Sequence, residues 1–510
     1  MNKITINGGR ITLDDIISVS RNGAAVEIGA EAAAKITACA DYVARLVEDD
    51  RVVYGITTGF GEFSKVRISR EDTADLQRNL IISHACGIGD NLPVDAARAM
   101  LFLRINSLAK GVSGIRLATL QVLADMLNRG VTPAIPEKGS LGASGDLVPL
   151  AHMVLPAIGL GEAYFENELM QGGQAMKRAG ITPVSLTSKE GLALINGTQA
   201  MTAIGALALY DGLNFAKLCD IAAGLTMEAL EGITDAFAPE LHQLRPHPGQ
   251  IAAAKNILKI VSGSECTRRQ SPEHVQDAYS LRCIPQIHGA SKDALDFVAQ
   301  KIDIEINSVT DNPIIFMDDD NAISGGMFHG QPVALAFDFL AIALAELANV
   351  SERRVERLVN PALSRLPGFL TAHGGLHSGF MIAQYAAAAL VSENKVLCHP
   401  ASVDSIPSSA NQEDHVSMGT IAARKARDVL FNASRVVMIE LICAAQGIDL
   451  NERTKGKNLG AGTAAAYSLV RKVCDKLGDD RELYVDFNKV AALIDGNDIV
   501  DAVENVIGRL

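Results

Sequence analysis

The chain has 510 residues, 48% apolar, 21% charged and 5% aromatic, with no tryptophan, a composition that excludes a disordered polyelectrolyte. The net charge is −13 and Lys and Arg form no blocks, which argues against binding a nucleic-acid backbone. The eight cysteines, from Cys39 to Cys474, contain no C-x-x-C pair. They are too sparse for a disulfide scaffold and wrongly spaced for a zinc ribbon, so a reducing cytoplasmic setting is expected, as is the absence of a signal peptide from the opening residues.

In chain order, Ile4-Thr5-Ile6 predicts a short strand, and a helix is expected to open at Thr12 or Asp14. Ser69-Arg70-Glu71-Asp72 resembles an acidic capping box, and behind it Leu76, Leu80 and His84 recur on one helix face. Pro and Gly mark loops at 132–145, 245–249, 367–368 and 400–407. The span from Gly191 to Tyr210 has no charge and nearly the length of a bilayer crossing. It carries Asn196, Thr198, Gln199 and Thr202 and lacks flanking aromatic residues, so a buried helix is expected and no membrane partner. Val333–Val350, Met381–Val391 and Val416–Ala445 are dense in Ala and Leu and are expected as central bundle helices, apolar on most sides and buried. A last helix is expected after Asp495. The fold class is mainly α: a long central helical bundle with a small mixed α/β N-terminal part.

Metal readings are weak. His373 and His377 lie at i, i+4, but two glycines separate them and no third ligand is evident. Asp318-Asp319-Asp320 reads as a solvated turn, and Glu352 to Arg357 as a solvated helix face or subunit contact. No metal is expected.

The most unusual stretch is Gly139-Ser140-Leu141-Gly142-Ala143-Ser144-Gly145-Asp146-Leu147. It lacks the G-K-[ST] ending of a phosphate-binding loop, and Asp146 breaks the nucleophile-elbow pattern. One reading is a flexible helix-entry loop with Ser144 or Asp146 as N-cap. The sharper one is chemical. In Ala143-Ser144-Gly145 the backbone nitrogen of Gly145 can attack the carbonyl carbon of Ala143 and close a five-membered ring. Loss of one water gives an imidazolone; loss of a second, from Ser144, leaves an exocyclic methylidene. Small residues suit so tight a fold of the backbone. The product is a carbon electrophile made without an external cofactor.

Gly142 to Leu147, with Pro149-Leu150-Ala151-His152 behind it, resembles the prosthetic-group motif of the aromatic amino-acid ammonia-lyases, which carry 4-methylidene-imidazol-5-one (MIO). The resemblance covers essentially the whole chain. Its other motifs follow in family order: Tyr54 to Gly61, Ser83-His84-Ala85, Gly191 to Thr198, Gln276 to Cys283, Phe328 to Pro332, and Asn411 to His415. It implies one continuous lyase unit, with residues 1–200 carrying the base-bearing loop and the MIO loop, and 201–510 the helical bundle and C-terminal helices. It also implies a homotetramer with each active site built from several subunits.

The family contains histidine, tyrosine and phenylalanine lyases and aminomutases. Ser83-His84 and Glu413 are similar to the histidine branch, which implies elimination of ammonia from L-histidine to trans-urocanate. Thr57 and Met327 depart from that branch, and Gly330-Gln331 resembles the tyrosine and phenylalanine branch. The resemblance implies catalytic roles for Tyr54 as base, for Ala143, Ser144 and Gly145 as the MIO source, and for Tyr279 and Glu413. It implies substrate binding by His84, Asn196, Gln276, Arg282 and Phe328, with Arg282 as carboxylate clamp. Ser409 to Gln412 resembles a capping box, which would set Glu413 in a first helical turn. Taken singly, His84 reads as a core histidine, Tyr54 as strand packing and Arg282 as a structural ion pair. A non-catalytic scaffold would be marked by loss of Ser144 or Tyr54, and both are present.

Overall fold

Helices dominate because the apolar runs are long and rich in Ala and Leu, with Gly and Pro concentrated between them. A computed structural model describes residues 3–49, 51–53, 55–58 and 73–510, and among these it has twenty α-helices and a few two- or three-stranded sheets. Tyr54 and the Ser69-Asp72 capping box lie outside the described residues. The chain divides into two compact units. One comprises Met1–Leu207, Ala299–Asp338 and Pro400–Arg424; the other comprises Ala208–Val298, Phe339–His399 and Lys425–Leu510. Four of the five unit limits fall inside the long helices Gln199–Ala229, Ile284–Glu305, Gln331–Val359 and Gly419–Leu450, and the fifth, between His399 and Pro400, follows helix Met381–Leu397.

In the first unit, Lys3–Ile6 pairs in parallel with Ala25–Ile28. Thr12 caps helix Leu13–Ser20: its hydroxyl accepts from the Asp15 amide, and the Asp15 carboxylate accepts from the Thr12 amide at 2.8 Å. Aspartate thus does at this position what glutamate does in the usual capping box. Leu76 and His84 are half-buried and Leu80 buried on one face of Thr73–His84. The stretch read as a loop from Thr132 contains two short strands, Thr132–Pro133 and Pro136–Lys138. The uncharged span from Gly191 to Tyr210 is buried as expected but is not one helix. Glu190–Ile195 ends at Asn196, whose φ/ψ of −91°/101° is extended, and Gln199–Ala229 starts afresh.

In the second unit the run Glu352 to Arg357 is not a solvated face. Glu352 and Arg354 are buried, and the Arg354 guanidinium grips Glu440 through two bonds of 2.5 and 2.9 Å. Ser351 and Thr226 donate to the same carboxylate. Arg354 also reaches Nε2 of His288 at 3.3 Å, while Nδ1 of His288 meets Asp220 at 2.7 Å. Lys292 and Asn256 complete the shell of Asp220. A second departure is helix Met381–Leu397. Of its residues only Ala383, Ala387 and Asn394 are buried, and Ile382, Tyr385 and Val396 are 57%, 60% and 69% exposed. The expectation of a buried helix is thus corrected: most of its alanine-rich length is half-buried or exposed. By length and mean hydropathy helix Gln331–Val359 could cross a bilayer, yet two-thirds of its apolar window lies inside the protein.

His288 has a consequence for stability. Burial, with Arg354 and Lys292 adding to it, holds its pKa below the ordinary value, while Asp220 opposes. An unfolded histidine binds its proton near pH 6.5. The unfolded chain therefore takes up more protons at acid pH, and folded stability falls as pH drops below that value. The loss is up to about 1.4 kcal/mol per pH unit until the folded pKa is reached. Urea unfolding at pH 7.0 and 5.5 should show a smaller acid loss, by about 1 kcal/mol, in His288→Asn than in the parent; equal losses would place the acid sensitivity elsewhere.

Candidate active site

The loop between Gly139 and Asp146 is bent back on itself. Gly139, Gly142 and Gly145 have φ of 136°, 76° and 72°. Gly145 lies against Gly197 as an isolated parallel bridge, and the Asp146 amide donates to the Gly197 carbonyl at 2.7 Å. A Cβ on Gly145 would stand 2.2 Å from that carbonyl oxygen, so both the left-handed φ and the close approach require glycine. On the other side of the loop, the amides of Ser417 and Met418 donate to the carbonyls of Gly142 and Leu141. Ala143, Val416 and Met418 form a small apolar cluster there.

Asp146 stands at the N-cap position of helix Leu147–Val154, but its side chain makes no cap bond to that helix. The carboxylate is fully buried and serves the first turn of Gln199–Ala229, accepting from the Met201 amide at 2.8 Å. Ser140 and Thr420 donate to its other oxygen. Burial raises its pKa and these donors work against the rise. The capping expectation is thus corrected: Asp146 caps a neighbouring helix and ties the 139–146 loop to it.

Ser144 is half-buried, and its hydroxyl donates to Glu413 at 3.1 Å. Glu413 does not lie in a helical turn. Ser409, Ala410 and Asn411 have φ of 52°, 54° and 66°, so the chain makes a tight left-handed turn and returns, pairing Glu413 with Ser408. The Ser408 hydroxyl holds the second carboxylate oxygen at 2.9 Å. The capping-box reading failed because three successive residues take a conformation that polar spacing does not reveal. Burial lowers the pKa of His84, while the charge of Glu413 pulls it upward. His84 Nδ1 lies 3.1 Å from the Ser83 hydroxyl.

Asn196 is 2% exposed. Its Nδ2 donates to the Asn312 carbonyl at 3.0 Å, and its Oδ1 has no partner among the described residues. A buried amide oxygen left open costs about 1–3 kcal/mol unless a ligand donor meets it. Phe328 is half-buried beside His329, whose ring stacks on His415 at 6.0 Å, bringing two of the sequence motifs together.

The first unit thus gathers Ala143, Ser144, Gly145, His84, Asn196, Phe328 and Glu413. Gln276, Tyr279 and Arg282 belong to the second unit. Leu281 packs in an apolar cluster with Phe237 and Ile257, which fixes the short helix Tyr279–Arg282. Tyr279 is 69% exposed, and the Arg282 guanidinium lies 4.6 Å from its ring centroid. Arg282 Nε is buried with no partner among the described residues, so Arg282 is not a structural ion pair there. Gln276 is exposed. Among the described residues no group of three or more His, Cys, Asp or Glu is placed to hold a metal, and His377 instead contacts Asp479 at 3.1 Å. Sequence reading missed Arg104, Lys189, Asp311 and Thr420, all buried around this site. Only Arg104 carried a signal, a charge among the apolar residues in the second half of helix Val94–Leu108.

The pattern of the aromatic amino acid lyase family matches residues 11–472, and the chain belongs to that family. A histidine ammonia-lyase of Alkaliphilus oremlandii (strain OhILAs) is 62% identical over 507 residues, 99% of each chain. The crystal structure of histidine ammonia-lyase from Trypanosoma cruzi is 43% identical with a TM-score of 0.92, covering 99% of this chain and 95% of that one. A tyrosine aminomutase from Streptomyces globisporus is 38% identical with a TM-score of 0.95, covering 99% of each.

Replacing Gly145 by Ala is expected to prevent ring closure, because strain and overlap with the Gly197 carbonyl would push the loop apart. Intact-mass measurement should find both waters retained in Gly145→Ala and lost in the parent. Activity should drop by at least about 100-fold, since each ~1.4 kcal/mol of lost organisation is a factor of ten.

Proposed function

We propose that the protein eliminates ammonia from L-histidine to give trans-urocanate, using MIO formed from Ala143-Ser144-Gly145. The observation that carries this reading is the placement of a carboxylate, Glu413, against Ser144, with an imidazole, His84, within reach of its charge. Full-length relatives called histidine ammonia-lyases support it. The residues present fit the ring. Gly145 has a left-handed φ and lies so close to the Gly197 backbone that only glycine fits, and the open Oδ1 of Asn196 lies on the segment bridged to it.

The ring supplies a carbon electrophile that makes the substrate nitrogen a better leaving group. The chain's own residues do the rest. Arg282, with an unused Nε, holds the substrate carboxylate in bidentate geometry. Asn196 Oδ1 accepts from the substrate amine, and Tyr279 is a hydrogen-bonding neighbour of the same group. Tyr54 takes the β-proton as general base. Gln276 and Phe328 line the pocket. An imidazole has one N–H and one lone-pair nitrogen, and Glu413 and His84 offer partners to both. With its pKa lowered, His84 is neutral near pH 7 and can donate or accept. A phenyl ring in the same place would leave Glu413 without a partner, at about 1–3 kcal/mol.

Offering histidine, tyrosine and phenylalanine separately, and reading ultraviolet product spectra, tests the substrate. Urocanate should form fastest; coumarate or cinnamate in its place would move the protein to another branch. Glu413→Gln should lower kcat/KM for histidine by about 10- to 100-fold, the equivalent of one lost charged hydrogen bond. Tyr54→Phe should lower kcat by at least about 100-fold, as general-base loss does; a change of only a few-fold would remove Tyr54 from that role.

A homotetramer is part of the same reading. Along helix Gln331–Val359, Leu335, Phe339 and Ile342 form an apolar stripe 53%, 41% and 43% exposed, and the outward face of Met381–Leu397 adds Ile382 and Tyr385. Exposed apolar surface on this scale supports a subunit contact. Sedimentation equilibrium should give four copies for the parent and fewer for Tyr385→Glu. All eight cysteines are unpaired, which supports the cytoplasm as the location.

A further inference from the structure

Arg104 is completely buried. It has no ion pair among the described residues; burial pulls its pKa down to about 10, and the charge of Asp311 offsets part of that. A buried cation without a carboxylate in contact is costly and needs a compensating role. Every bond of its guanidinium goes to the break between Glu190–Ile195 and Gln199–Ala229. Nη1 donates to Gln199 Oε1 at 2.7 Å, and Nη2 donates to the carbonyls of Ala193 and Asn196, the latter at 3.0 Å. Gln199 is itself oriented by the Thr310 hydroxyl at 2.8 Å. Gly197 makes this possible: a Cβ there would stand 2.4 Å from Arg104 Nη1 and 2.5 Å from Gln199 Oε1.

The opposite side of the turn is held as firmly. Lys189 and Asp311 form a fully buried pair at 2.7 Å, and Lys189 also approaches the Asn312 carbonyl at 3.4 Å. That carbonyl accepts from Asn196 Nδ2. The backbone of Asn196 is therefore fixed by Arg104, and its side chain by Asn312. What remains free is Oδ1.

We infer that Arg104 is a positioning residue for Asn196: by tying together the Ala193 and Asn196 carbonyls and the Gln199 side chain, it holds the extended break that turns Asn196 Oδ1 toward the substrate nitrogen and keeps Gly197 against the ring-forming loop. The inference rests on the reading of the site given above. It does not depend on which aromatic amino acid is the substrate.

Two variants test it. Arg104→Lys keeps the charge but cannot span three acceptors. Gln199→Met keeps the volume and Arg104 but removes one acceptor, and is chosen in case the first variant does not fold. Intact mass should show both waters lost in each, as in the parent. With whichever amino acid the parent turns over, kcat should fall about 10-fold or more in Arg104→Lys and several-fold in Gln199→Met, with KM within about 3-fold. The near-ultraviolet band of the closed ring, clear of tryptophan because the chain has none, should shift in both. A matured variant with kcat within about 2-fold of the parent, or a change confined to KM, would overturn the inference. If the parent deaminates none of the three amino acids, the site reading fails on its own. The ring band then decides for Arg104, and an unchanged band in both variants sinks it.

Discussion

The contact between Gly145 and Gly197 is the constraint on which the site depends. A Cβ on Gly145 would strike the Gly197 backbone, and one on Gly197 would strike the Arg104, Gln199 and Thr310 side chains, so neither position admits a side chain. The Asp146 amide donates to the Gly197 carbonyl, fixing the ring-forming tripeptide on one side and the Asn196 turn on the other. A ring closure of adjacent peptide units needs the chain held in a conformation that an open loop visits rarely, and ordering even a few residues costs about 1–2 kcal/mol each. Here that cost is met by elements outside the loop: the 416–418 segment, the first turn of Gln199–Ala229 and the Asp146 carboxylate.

Buried charge is used in the same way throughout. Asp146, Arg104, Lys189, Asp311 and Glu190 are all inaccessible; Asp146 and Arg104 bond only to backbone and uncharged side chains, while Lys189 pairs with Asp311 and Glu190 with Arg116, and both also bond to backbone. Such groups add little net stability, because desolvation offsets attraction. They do define direction, since an unsatisfied partner would cost more than the bond returns. The orientation of Asn196 and the course of the loop follow from these groups more than from apolar packing, which is indifferent to small rotations.

Much of this was legible in the sequence. Period-3.6 apolar patterning places Thr73–His84 and the last helix, Asp498–Ile507, and the cap at Thr12 is explicit in its spacing. The candidate site residues come from the resemblance of ordered motifs, and the structure sets three of them, Ser144, Glu413 and His84, near one another. The break at Asn196 was not legible, since Gly191 to Tyr210 reads as one apolar run and its interruption is imposed by Arg104 and Asn312 from distant segments. The left-handed turn before Glu413 was likewise hidden, because Ser, Ala and Asn carry no strong local signal for positive φ in succession. Helix Met381–Leu397 misled in the other direction: alanine is small enough to stand at the surface as readily as in a core, so its density does not by itself report burial.

Substrate choice sits on a smaller scale than the fold. A tyrosine aminomutase and a histidine ammonia-lyase superpose on this chain about equally well, with TM-scores of 0.95 and 0.92, so the shared scaffold cannot discriminate between their substrates. What can discriminate is a few polar atoms in a partly buried pocket, where a missing partner is expensive and a matching one is worth about 1–3 kcal/mol. Glu413 is held by Ser408 on one oxygen and meets Ser144 with the other. In the proposed ring formation Ser144 gives up its hydroxyl, and that second oxygen would then lose its donor. The carboxylate then needs a new N–H, which an imidazole has and a phenyl ring lacks. On this argument the maturation of the loop and the preference for a nitrogen-bearing ring are linked through a single carboxylate.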